Sequence, residues 1–160
     1  MTANLDTRLA SYSSPVLSIF RIVFGLLYML HGSIKLFGWP LGTPVPTGTW
    51  PLWFAGLIEF VLGLLIVVGL FTRIAAFIAS GEMAFAYFYQ HWPALKGGGS
   101  ASFWPFDARQ LGGNGGELAI MFCFAFLLIA TTGAGSISAD ARRRPRAAGA
   151  PAGRLRRLRR

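Results

Sequence analysis

Residues 15–37 read PVLSIFRIVFGLLYMLHGSIKLF, and residues 52–90 read LWFAGLIEFVLGLLIVVGLFTRIAAFIASGEMAFAYFYQ. Neither stretch shows the alternation of a strand. Each is rich in Leu, Ile, Phe, Ala and Gly, and crossing a bilayer takes about 20 such residues. In lipid the backbone must satisfy its own hydrogen bonds, so these runs are read as helices. Working outward, spans are expected at about 15–37, 52–71, 73–90 and 116–132. Thr72 and Arg73 leave room only for a tight turn between the second and third. The expected fold is an all-α integral membrane protein, a four-transmembrane-helix bundle with both termini cytoplasmic.

Composition agrees with that class. Of 160 residues, 54% are hydrophobic and 13% charged, where a soluble domain carries roughly 25% charge. The mean hydropathy is +0.52. Net charge is +9, yet nine of the fifteen Lys and Arg lie between Arg142 and Arg160. A basic tail beside a membrane segment attracts anionic lipid and fixes topology, so no nucleic-acid partner is expected. The chain divides into a short N-terminus (1–14), a membrane domain (15–140) and a basic, disordered cytoplasmic tail (141–160). With both termini on one side, that side holds Arg8, Arg73 and the tail, against Lys35, Lys96 and Arg109 on the other. The cation bias makes the tail side cytoplasmic. All five tryptophans fall in or beside the two loops of the opposite side, as interfacial anchors do.

The three glutamates, Glu59, Glu82 and Glu117, sit inside or at the edge of apolar stretches. A carboxylate in hydrocarbon is costly, so it pairs with a cation or lines a polar path. A rise of about 1.5 Å per residue sorts the charges into two layers by depth. Arg21 and Glu82 share the lower one and are expected to form an intramembrane ion pair. His31, Lys35, Glu59 and Glu117 share the upper one and are candidates for a substrate or proton site. On the first helix Arg21, Gly25, Tyr28, Gly32 and Lys35 fall on one face, and glycines there let a second helix approach closely. Gly56, Glu59 and Gly63 share a face in the same way. Tyr28, Trp53 and Tyr89 are candidate pocket walls. Two readings of these charges stand side by side: ion pairs that fix helix register, or a functional polar site.

Cys123 is the single cysteine, so no disulfide forms within the chain. A haem held by His31 and His91, which fall at similar depth, is not expected, since His91 opens a loop. No other metal-ligand spacing occurs, and no metal site is expected. GGGS and GGNGG do not match a phosphate-binding loop.

The order of motifs resembles the DoxX family of small bacterial four-helix membrane proteins. The likeness spans about Pro15 to Asp140. RIVFGLLYMLHGSIKLFG is similar to the family's opening, EFVLGLLIVVGLFTRIAA to its central signature, NGGELA supplies Asn114, Gly116 and Glu117, and TTGAGSISAD resembles its close with Ser138 and Asp140. The resemblance implies a multi-pass protein of the bacterial cytoplasmic membrane linked to redox metabolism. Members are subunits of quinol or thiosulfate–quinone oxidoreductases, or membrane partners in oxidative-stress and thiol or sulfur metabolism.

Put together, the expected function is a membrane subunit associated with quinone-linked oxidoreduction. If catalytic, the chain is one subunit rather than a complete enzyme, because no motif encodes a cofactor. A quinone is the cofactor the resemblance brings in. The expected partners are the lipid bilayer, redox-enzyme subunits and further copies in a homo-oligomer. The alternatives are a non-catalytic scaffold recruiting soluble enzymes, and a small-solute or proton transporter. The latter needs an oligomer, since four helices without an internal repeat make a poor transporter alone.

Overall fold

The computed structural model describes residues 2–92, 103–106 and 112–143, with side chains from residue 5 onward. The helices are α1 (Thr2–Phe37), α2 (Leu52–Val68), α3 (Thr72–Ala86), α4 (Glu117–Thr132) and the short α5 (Ala139–Arg143). A π-helical turn, Tyr87–His91, continues α3. The described residues contain no strand. Lys96, Arg109 and residues 144–160, most of the basic tail, lie outside the described residues.

The all-α expectation holds, but the four-span count does not. Only α1, over Leu5–Phe37, is both long and apolar enough to cross a membrane among the described helices. The helices α2, α3 and α4 have 17, 15 and 16 residues, or roughly 22–26 Å at the helical rise, against about 30 Å of hydrocarbon. For α2 the C-terminal end explains the shortfall, and for α3 the change to a π turn at Tyr87 does. Gly69 stops α2 in the left-handed region at φ 74°. Its N–H bonds Ile66 O at 3.1 Å and the Leu70 N–H bonds Leu65 O at 3.0 Å, a Schellman close. Phe71, also left-handed at φ 50°, precedes α3. Apolar residues counted as span thus belong to a turn, and the placement of both termini in the cytoplasm, which rested on four crossings, falls with the count.

Two helix pairs, α1 with α2 and α3 with α4, are joined through α2–α3 and α1–α4 contacts. Glycines set the first pairing. A Cβ added at Gly32 would meet Phe60 N at 2.5 Å and Gly56 O at 2.6 Å, and one at Gly63 would meet Met29 Cα at 2.8 Å. The second pairing lays Ala75, Ala76, Ala79 and Met83 of α3 against Phe122, Phe126 and Ile129 of α4, with Tyr28 and Ile66 completing the core. Small residues face large ones across the contact, which lets the layers interdigitate. The outward faces are apolar as well. Val16, Ile19 and Val23 on α1, Val61 and Leu64 on α2, Phe77 on α3 and Phe124 on α4 are all exposed. Such a surface calls for an apolar surrounding, and with α1 it accords with association with a lipid bilayer.

Candidate functional site

One face of α1 carries Arg21, Tyr28 and Lys35 at two-turn intervals, and each reaches a different part of the chain. The stripe periodicity puts them there, and the glycines between them bring α2 close enough to be reached. Lys35 forms an ion pair with Glu59 Oε1 of α2. Glu59 is 2% exposed in its side chain, while Lys35 is 26% exposed. Oε2 of Glu59 is buried without a hydrogen-bond partner. Tyr28, fully buried, donates its hydroxyl to Glu82 Oε2 of α3 at 3.1 Å. Its ring lies 4.8 Å from Phe126. The interior therefore holds two carboxylates, one neutralised by a cation and one hydrogen-bonded by a phenol.

The Arg21–Glu82 ion pair is not formed. Arg21, fully buried, donates Nε to Ala134 O at 2.8 Å and Nη2 to Ile137 O at 2.6 Å. Its Nη1 donates to Val67 O at 2.6 Å and to Ile66 O. The reason is geometric. The C-terminal carbonyls of α2 carry the negative end of the helix dipole and each has two lone pairs to offer, and they meet the guanidinium fork before any carboxylate does. Depth alone could not separate the two outcomes.

The upper layer is split likewise. Lys35 and Glu59 come together. His31 sits edge-on to Phe122, centroids 5.9 Å apart. Glu117 is exposed in the first turn of α4, where a negative charge complements the dipole, and its backbone N–H bonds Pro105 O at 2.8 Å. Of the three expected wall residues only Tyr28 is interior. Trp53 is half-buried against Phe54, and Tyr89 is exposed and stacked on Phe85. His91 bonds the Asn114 carbonyl at 2.9 Å through Nδ1. Among the described residues no three His, Cys, Asp or Glu side chains gather as a metal-binding group.

A second polar centre, which spacing did not point to, lies at the α5 end. Asp140 accepts the backbone N–H groups of Phe71 at 3.0 Å and Thr72 at 2.9 Å, closing the N-terminus of α3. Arg73 donates to the carbonyls of Ala130 at 2.9 Å, Thr131 at 2.5 Å and Thr132 at 3.3 Å, closing the C-terminus of α4. With Arg21 on α2, three helix ends are each capped by a charged side chain from another element. Burial alone pushes the Asp140 carboxyl up. Hydrogen bonds from Thr72 and Phe71, with the Arg143 charge, outweigh it and leave the carboxyl below its ordinary value. These residues stand in GLFTR and GSISAD, but capping across about 70 residues has no local signal.

The sequence model of the family described as DoxX matches residues 16–92, from α1 through the π turn. A protein of Haemophilus influenzae, itself described as uncharacterized, is 39% identical over 135 residues, covering 82% of this chain and 93% of that one. No solved structure matches the chain.

Proposed function

This chain belongs to the DoxX family, and from that premise we propose that it is a membrane subunit associated with quinone-linked redox metabolism. The carrying observation is Glu59: a carboxylate removed from solvent, neutralised on one oxygen by Lys35 and left with a free acceptor on the other. An unpaired buried acceptor is costly, and a hydroxyl donor from a ligand would relieve it. A quinol head group brings such a donor, and its oxidised form brings a carbonyl that a lysine ammonium can hold. The residues present therefore fit a quinone head in charge and in hydrogen-bond sense.

A quinone, when bound, would take up two electrons and two protons, the electrons coming from a partner oxidoreductase. Lys35 would hold the carbonyl oxygen by an N–H donor. Glu59 Oε2 would accept from the hydroxyl and exchange its proton. Tyr28 and Glu82, hydrogen-bonded to each other, stand ready to hold a second proton within the interior. Lys35, the more exposed of the ion pair, would face an incoming head group first.

The scaffold reading is supported by a different observation, the nine arginines of residues 142–160, which would dock an acidic partner. One experiment separates the two. The native complex is purified in mild detergent, and its quinones and proteins are identified by mass spectrometry for the wild type, Glu59→Gln and a chain ending at Ala141. A quinone retained by the wild type and lost in Glu59→Gln supports the quinone reading. Absence of quinone from all three, with a soluble enzyme lost only on truncation, replaces it with the scaffold.

A further inference from the structure

We propose that the cavity at the α5 end of the molecule seats the head group of an anionic phospholipid. This site is separate from the Lys35–Glu59 interior and independent of the quinone reading. The cavity has a volume of about 1010 Å³ and lies between the Ser13–Leu17 region of α1, the start of α3 and the turn after α4. That turn is fixed to α1: the Ile137 N–H bonds Ser18 Oγ at 3.0 Å.

Depth is assigned by setting the last residue of α1, Phe37, at one boundary of the hydrocarbon core. From Ser18 to Phe37 the helix rises roughly 30 Å, the thickness of the hydrocarbon core. With Phe37 at one boundary, Ser18 stands at the other, and Ser13 and Ser14 lie beyond it at head-group level. The cavity wall begins there.

The charge at this level suits an anion. Arg73 lines the cavity and is exposed. Its three hydrogen bonds to α4 carbonyls use three of the five N–H donors of a guanidinium, leaving two for a phosphate oxygen. Arg142 and Arg143 are exposed on α5, whose Asp140 and Ala141 form part of the wall. Asp140 is the carboxylate in that wall, and both its oxygens are already engaged by Phe71 and Thr72. Positive charge is thus in excess by two among these four groups. Basic pockets of this kind between helices at the membrane surface hold phospholipid heads. The wall is also amphiphilic: Leu17, Phe71 and Ile74 offer apolar surface beside Arg73 and Ser136. A phosphodiester would sit on Arg73, with its glycerol and upper acyl chains on the apolar side. A free phosphate would use only half of these features.

The test uses the full chain, extracted from vesicles of equal parts phosphatidylglycerol and phosphatidylcholine, with bound lipid counted by native mass spectrometry. The expected result is a roughly tenfold preference for phosphatidylglycerol. That preference is lost in Arg73→Gln, and also in Ser136→Glu, which places a negative charge at the mouth without touching a helix cap. Equal retention of both lipids by the wild type overturns the proposal. Undiminished phosphatidylglycerol in a folded Ser136→Glu overturns it as well. Displacement of the lipid by soluble glycerol 3-phosphate overturns the lipid assignment in favour of a free anion.

Discussion

Asp140 and Phe71 are bound across the α2–α3 turn: the Asp140 carboxylate accepts the Phe71 N–H at 3.0 Å, and Phe71 holds a left-handed φ of 50°. A large non-glycine side chain in that region is an outlier that persists only when its surroundings hold it in place. The Asp140 backbone N–H closes the same contact from the other side, donating to Gly69 O at 2.9 Å. The cap and the strained turn therefore stand or fall together.

Replacing Asp140 with Ala should lower stability by about 1 kcal/mol, the usual cost of losing a helix N-cap, and Asp140→Asn by less. The pH dependence has a definite sign. The folded carboxyl lies below its ordinary value, so the unfolded chain binds a proton first as pH falls. The contribution is complete above the unfolded value and fades as pH drops through the folded one. Thermal unfolding in detergent between pH 3 and 7 should show wild type and Asp140→Ala converging at the acid end.

Arg21→Met should be among the most damaging substitutions, since it removes the guanidinium donor from the carbonyls of Val67, Ala134 and Ile137, while Ile66 O keeps only the Gly69 N–H. Each buried unsatisfied group costs about 1–3 kcal/mol. Arg21→Lys should rescue little, because a point ammonium cannot copy the planar fork. Limited proteolysis of the three proteins in one detergent reads the order; equal resistance of Arg21→Met and wild type would remove the capping role.

Two glycines should respond in opposite directions to the same methyl group. Gly32→Ala drives a Cβ into the backbone of α2 at 2.5–2.6 Å and should cost about 1–3 kcal/mol, as overpacking does. Gly81→Ala meets nothing within 4 Å and should stabilise by about 0.5–1 kcal/mol through helix propensity. Paired melting curves decide it.

Tyr28→Phe keeps the ring against Phe126 and deletes only the hydroxyl given to Glu82. Its cost should be about 1 kcal/mol, whereas Tyr28→Ala empties a fully buried site and should cost about 3–5 kcal/mol. A large loss in Tyr28→Phe would mean that the Glu82 hydrogen bond, not the packing, holds this layer.

Much of the interior was legible in the residues. The spacing of Arg21, Gly25, Tyr28, Gly32 and Lys35 marked one face of α1, and Gly56, Glu59 and Gly63 marked a face of α2; depth put Lys35 and Glu59 in one layer with His31 and Glu117 but did not say which of the four would pair. Glu82 meets Tyr28, two turns from Arg21 on the same face of α1, because the Arg21 fork is taken up by the carbonyls of Ile66, Val67, Ala134 and Ile137, acceptors that no motif marks. Glu117 went to the surface because it opens α4. The second span came out short because hydropathy runs smoothly through Gly69–Phe71 while the backbone turns there, and the third because the α-helix gives way to a π turn at Tyr87. The capping roles of Arg73 and Asp140 depend on backbone groups, which every residue carries and no motif marks.

Arg21 also imposes an order in time. Two of its acceptors, Ile66 and Val67, belong to the first half of the chain, but Ala134 and Ile137 lie 113 and 116 residues beyond Arg21 itself. Chains are made and fold from the N-terminus, so the growing protein carries a guanidinium that lacks two of its carbonyl acceptors through most of its synthesis. Any product that stops short of the turn after α4 keeps that exposed charge, and with it a ready distinction between a finished chain and an abandoned one.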